Sequence, residues 1–209
     1  MIRIMTRNLA VSLRLLLVTD DALLAGRDPV ALCRAAVRGG VTGVQLRLKQ
    51  ATPRELLRIA RALVAALDVP VLVNDRCDVA IAAGAAGVHL GPDDLPVRLA
   101  RRAAPKGFVI GASVGGEGEV GGGAGADYWG VGPWRATSTK ADAGAALGEA
   151  GFRAILARSG GIPCVAIGGV RPEDVAPIRG AGGAGVAVVS GILSADDVEG
   201  AARRYMETA

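Results

Sequence analysis

Polar residues able to hold phosphate groups and a metal recur at the ends of short apolar runs in this chain. Gln45, Arg47 and Lys49 alternate, so their side chains share one face of an extended strand end. Asn74, Asp75 and Arg76 follow the run VPVLV, and His89, Asp93 and Asp94 belong to GVHLGPDDLP. Cationic side chains mixed with carboxylates are what is needed when Mg2+ and protein cations jointly hold a pyrophosphate. Further on stand Ser113, then Thr137, Ser138, Thr139 and Lys140, then Gly168-Gly169, then Ser190-Gly191. Gly-rich turns with a serine can bind a single phosphate through backbone N–H groups and a helix N-terminus. Two phosphorylated ligands are implied. Each signal alone has an ordinary explanation, since Gly-Gly is a common turn and Asp93-Asp94 also suits a helix cap. Their joint placement points to function.

These residues must be positioned by the runs that precede them. Eight such runs occur: LRLLLVTD from Leu13, GVQLR from Gly43, VPVLVND from Val69, GVHLG from Gly87, VIGAS from Val109, YWGVGP from Tyr128, PCVAIGG from Pro163 and GVAVVSGI from Gly185. Segments of helical character, such as PVALCRAAVRGG and PRELLRIARALVAAL, lie between them. Regular β-then-α alternation predicts right-handed crossovers and a parallel sheet. Eight units predict an α/β fold of one (β/α)8 TIM barrel spanning residues 1–209, with the site at the carboxyl ends of the strands. An open doubly wound sheet fits less well, because the first turn, TDDALLAG, lacks the Gly-rich pattern of that fold. Residues 115–125 hold seven glycines where the fifth helix should be. Each interior glycine costs a helix up to about 1 kcal/mol, so that element is expected to be short or frayed.

Composition narrows the function classes. The chain is 51% hydrophobic but 3% aromatic, which suits a core of aliphatic parallel strands buried on both faces. The net charge is +4 and the pI about 9.3, yet the basic residues are scattered, so no nucleic-acid partner is expected. Cys33, Cys77 and Cys164 are far apart with no metal-type spacing and are expected to be buried free thiols. The apolar stretch 9–18 is interrupted by Arg14 and followed by Asp20 and Asp21. It is too short to span a bilayer and is read as the first strand, with no membrane partner and a cytoplasmic location expected. The oligomeric state, homo-oligomer included, is left open. The single histidine, His89, suits either a general base or a core residue held by hydrogen bonds, and Trp134 suits packing at the barrel rim.

Taken together, VQLRLK at 44–49, NDR at 74–76, GVHLGPDDLP at 87–96, IGAS at 110–113, GVGPWRATSTK at 130–140, CVAIGGV at 164–170 and GVAVVSGI at 185–192 resemble the thiamine phosphate synthase family. The resemblance runs in order along almost the whole chain. It implies a transferase of thiamine biosynthesis that joins hydroxymethylpyrimidine diphosphate to thiazole phosphate, with Mg2+ as cofactor. By the same resemblance, Gln45, Arg47, Lys49 and Asn74 would hold the diphosphate, and Asp75 and Asp94 would ligate Mg2+. Ser113 and Lys140 would complete the diphosphate and pyrimidine side, with Lys140, Ser113 and Arg47 as the catalytic set. Thr137, Ser138 and Thr139 would contact the thiazole partner, whose phosphate would rest against Gly169, Val189 and Ser190.

The chain departs from that family's pattern at Leu48, Pro92, Gly115 and Arg135-Ala136. The first two imply altered hydrogen bonding around the ligands, and the last a differently shaped loop over the site. Two further readings stay open at this level. One is a thiazole tautomerase-like isomerase, which resembles the same pattern but moves a proton with a histidine where Gly115 stands. The other is a barrel that binds phosphorylated ligands without catalysis, which the glycine-rich fifth unit would suit.

Overall fold

All eight apolar runs form strands. They are β1 (Leu15–Val18), β2 (Gly43–Leu46), β3 (Val71–Asn74), β4 (Gly87–Leu90), β5 (Val109–Val114), β6 (Tyr128–Val131), β7 (Cys164–Ile167) and β8 (Gly185–Val188). Each pairs in parallel with its neighbour in sequence, and β8 pairs with β1 to close the barrel. The computed structural model of the chain describes residues 9–137 and 144–208.

The strands are apolar throughout because they are covered on both faces. Leu15, Leu17, Val44, Leu46, Val71, Val73, Val88 and Leu90 pack outward against the helices. Leu16, Val18, Leu72, Val109, Tyr128, Val165 and Ala187 fill the interior. Helices α1 (Leu9–Ser12), α2 (Asp21–Leu24), α3 (Pro29–Arg38), α4 (Pro53–Ala66), α5 (Cys77–Ala83), α6 (Val97–Ala103), α7 (Gly148–Ala157), α8 (Val175–Gly180), α9 (Ser190–Leu193) and α10 (Val198–Glu207) surround the strands. The two longest early helices start at caps the sequence supplies. Asp28 accepts from Val30 N before α3, and Thr52 accepts from Glu55 N before α4, each with proline in the first helical turn.

Two segments differ from a regular barrel. After β5 there is only a 3-10 turn (Glu117–Glu119) followed by turns, in line with the helix-poor composition of residues 115–125. The apolar stretch 9–18 is not one strand, since α1 occupies its first residues and β1 begins at Leu15. The apolarity has another cause. Leu9 and Leu13 pack with the interior cluster at the end of the barrel opposite the site, and Thr42 Oγ1 donates to Ser12 O at 3.1 Å to tie the plug to the foot of β2.

All three cysteines are buried and unpaired. Burial pushes the Cys33 thiol up to about 12, with nearby Asp28 adding to it, pushes Cys164 up to about 11, and raises Cys77. The thiolate is the reactive species, so the folded chain is expected to react with a thiol-specific disulfide reagent far more slowly than the chain in denaturant. Equal rates in a spectrophotometric thiol assay would contradict this burial. No helix among the described residues is long and apolar enough to cross a membrane.

Candidate active site

Inward-facing positions near the carboxyl ends of β2 to β5 are polar, unlike the layers below them. Gln45 and His89 are buried. Gln45 Nε2 donates to Asn74 Oδ1 at 2.7 Å, linking β2 to β3. The His89 ring places Nδ1 at 2.9 Å from Tyr128 Oη and Nε2 at 3.0 Å from Ser113 Oγ. The interior accommodates these rings because Gly111 and Gly130 stand beside them. A Cβ at Gly111 would lie 2.3 Å from the Tyr128 ring and 2.6 Å from His89 Nδ1, and one at Gly130 would lie 3.0 Å from His89 Cε1. Burial drives the Tyr128 phenol well above its ordinary range, keeping it neutral. His89 is thus held by hydrogen bonds in the layer that floors the cavity, which both it and Ser113 line.

Above this layer lies a cavity of about 460 Å³. The diphosphate-side candidates Gln45, Arg47, Lys49, Asn74, Asp75, Asp94 and Ser113 line it, and so do Thr137, Gly169, Val189 and Ser190 from the other half. Ser138, Thr139 and Lys140 lie outside the described residues. Arg76 is not among the lining residues; it pairs with Asp78 at 2.6 and 2.9 Å, beside α5. Trp134 is buried and packs edge-on against Phe152, with ring centroids 5.8 Å apart, as a rim residue should.

The charged residues are held by loops at the strand ends. Fully buried Thr19 uses its hydroxyl to accept from Arg47 N at 2.8 Å and to donate to Arg47 O at 3.0 Å. Arg47 Nη1 reaches Asp20 Oδ2 at 3.3 Å. Asp21 accepts from Lys49 N at 2.8 Å and Gln50 N at 3.1 Å. Asp20 also caps α2 by accepting from Ala22 N and Leu23 N. These three residues after β1 position the β2 loop, a role that sequence reasoning missed. The available signal was an acidic cap directly after an apolar run.

Asp75 is the one residue other than glycine with positive φ, at 63°, among the described residues. Such a conformation costs a residue with a Cβ about 1–3 kcal/mol. It is held by Asp75 N donating to His89 O at 2.8 Å. The carboxyl is thereby brought to Asp94 on one side and to Lys49 Nζ, at 3.6 Å, on the other. Burial first, then hydrogen bonding and like charge from Asp94, push the Asp75 carboxyl up to about 6, while Lys49 pulls it down. Asp94 Oδ2 accepts from Gly91 N at 2.6 Å, which fixes the loop after β4. No group of three or more His, Cys, Asp or Glu among the described residues is arranged to hold a metal. The donor set is therefore two carboxylates beside a lysine, which fits Mg2+ that takes its remaining ligands from phosphate and water.

Opposite this acidic and basic edge, Gly168 (φ 90) and Gly169 (φ 65) form the turn after β7. Both need the left-handed conformation that glycine adopts without strain. Val189, between β8 and α9, and Ser190, the first residue of α9, complete that wall. One cavity thus brings a charged edge and a backbone-rich edge into a single space. At the departures noted in the sequence, Leu48 packs against the hydrophobic core, Pro92 lines the cavity, and Gly115 N donates to Glu119 Oε2 at 2.7 Å.

The family model described as thiamine monophosphate synthase matches residues 15–192. A thiamine-phosphate synthase from Xanthobacter autotrophicus is 49% identical over 196 residues, covering 91% of this chain and 92% of that protein. One from Syntrophomonas wolfei is 46% identical over 198 residues, covering 92% and 94%. Among solved structures, a thiamine phosphate pyrophosphorylase from Pyrococcus furiosus superposes with a TM-score of 0.84 at 36% identity, covering 96% of this chain and 97% of that one. A 3-hexulose-6-phosphate synthase at 18% identity and TM-score 0.68 shares the fold alone.

Proposed function

The chain belongs to the thiamine monophosphate synthase family, and from that premise we propose that it joins hydroxymethylpyrimidine diphosphate to thiazole phosphate, giving thiamine phosphate and pyrophosphate. In this reaction the bond between the pyrimidine methylene carbon and the diphosphate oxygen breaks, and its electron pair leaves with pyrophosphate. The lone pair of the thiazole ring nitrogen forms the new carbon–nitrogen bond. The observation that carries the reading is the pairing, in one cavity, of the Asp75, Asp94, Lys49 and Arg47 edge with the Gly168-Gly169 turn.

In this reading Gln45, Arg47, Lys49 and Asn74 bind the diphosphate, and Asp75 and Asp94 hold Mg2+. When bound, Mg2+ supplies neutralising charge to the diphosphate oxygens. Stabilising the charge of the departing pyrophosphate is the main demand of the chemistry, and preorganised cations around the cavity are suited to it. Arg47 is already oriented by Thr19 and Asp20. Ser113, oriented by His89, contacts the pyrimidine side, and Lys140 neutralises the leaving group. Thr137, Ser138 and Thr139 contact the thiazole partner, whose phosphate lies against Gly169, Val189 and Ser190.

The test is to mix both purified substrates with the protein and measure pyrophosphate and thiamine phosphate, with Mg2+ and with excess chelator. Equal amounts of the two products, lost on chelation, are expected. A chain that binds thiazole phosphate yet forms no product would overturn the transferase reading in favour of a ligand-binding barrel.

A further inference from the structure

The loop after β6 lies directly on the turn after β7. Trp134 N donates to Ile167 O at 2.8 Å and Arg135 N to Gly168 O at 2.9 Å, so pairing continues past the strand ends. The fit is close. A Cβ at Gly168 would meet Pro133 Cβ at 2.7 Å, and one at Gly169 would meet Arg135 Cβ at 2.8 Å. Across this contact the Arg135 guanidinium reaches Asp174, with Nε 2.9 Å from Oδ2 and Nη2 2.5 Å from Oδ1. The two planar groups meet fork to fork, the geometry that fixes direction as well as distance. The Asp174 side chain is only 6% exposed, although Arg135 itself is 44% exposed. The same carboxylate accepts from Arg171 N at 2.9 Å and interacts with the Trp134 side chain. One buried carboxylate just before α8 therefore gathers the loop after β6 and the chain that leaves the Gly168-Gly169 turn.

We propose that the Arg135–Asp174 pair is a positioning clamp that fixes Thr137 against the Gly168-Gly169 turn and thereby sets the affinity for the phosphate of the thiazole substrate. The inference rests on the function proposed above. Pro133 O and Trp134 O also accept from Leu147 N at 2.8 Å and Gly148 N at 3.1 Å, so the start of the loop is held on both sides, and the guanidinium on Asp174 adds a side-chain attachment close to Thr137 in the sequence. Thr137 is two residues beyond Arg135 and stands at the cavity wall, with its Cγ2 3.6 Å from where a Gly168 Cβ would be. A loop displaced by even about 1 Å would spoil a site that must meet a phosphate from two sides.

The experiment compares the native chain with R135A, R135K, D174N and the R135A/D174N double variant. Thiazole phosphate binding is read by calorimetry, the KM for each substrate by steady-state kinetics, and Tm by thermal unfolding. Thiazole phosphate binding is expected to weaken on the order of ten-fold in R135A and D174N, with the KM for the pyrimidine diphosphate within about two-fold of native. R135K, which keeps the charge but not the fork, should fall between, and the double variant should be no weaker than the worse single one. Unchanged thiazole phosphate binding in R135A and D174N would overturn the clamp. So would equal rises in both KM values that track a falling Tm. If the native chain itself neither binds thiazole phosphate nor makes product, the proposed function fails instead, a result distinct from either.

Discussion

Replacing Asp94 by alanine is expected to lower kcat/KM by about 10²–10³, the size seen when a preorganised electrostatic group is removed from a reacting site. If the proposed metal site is correct, the loss should be largest at low Mg2+ and should shrink as Mg2+ is raised, because Asp75 would still hold the metal, more weakly. The geometry gives the reason to expect that one carboxylate would not replace two. Asp75 already shares its charge with Lys49 at 3.6 Å, and its left-handed backbone holds it towards Asp94. Removing Asp94 also leaves Gly91 N without its 2.6 Å acceptor, at a stability cost of about 1 kcal/mol. Initial rates across a Mg2+ series, alongside thermal unfolding, separate the two effects. A variant that keeps native kcat/KM at limiting Mg2+ would remove Asp94 from the proposed metal site.

The second large effect concerns folding. Gly185→Ala is expected to destabilise the chain by at least ~3 kcal/mol. Gly185 opens β8, and an added Cβ would lie 2.0 Å from Leu13 O, 2.5 Å from Arg14 O and 2.7 Å from Arg14 Cα. All three atoms are backbone leading into β1, so no side chain can turn aside to make room. For a chain of this size the corresponding fall in Tm is roughly 6–12 °C. Gly180→Ala is the matching control. Gly180 ends α8, and nothing lies within 4 Å of its would-be Cβ. There alanine should be neutral or stabilise by up to about 1 kcal/mol. Calorimetric unfolding of both variants decides the matter, and equal Tm values would contradict the close β1–β8 approach.

The barrel was legible because each strand is a compact apolar run and every run except the fifth leads into helix-forming sequence. That signal does not depend on distant contacts. The stretch 9–18 was misread for a related reason: hydrophobicity marks Leu9 and Leu13 as buried but cannot distinguish a plug from a strand. Candidate residues at strand ends were legible because a closed parallel barrel brings all of its βα loops to one end. The supports of those residues were not. Asp20 with Arg47, and Asp174 with Arg135, are pairs 27 and 39 residues apart, and scattered charges in a sequence do not announce their partners. The space-making glycines Gly111 and Gly130 were equally silent, because their purpose depends on the rings of His89 and Tyr128 beside them.

The pairing of β8 with β1 also governs how the chain can be made. Leu15 is matched to Val186, so the first strand to leave the ribosome waits for the last. The carboxylates and cations of the charged edge emerge early, on the loops after β2 to β4, whereas Val189 and Ser190 come only after β8. A nascent chain that stops short of Gly185 has an unpaired edge on β1 and another on β7, both rich in apolar residues, and such edges invite pairing with other chains. A cavity lined from both the early and the late loops is therefore complete only once β8 has paired with β1.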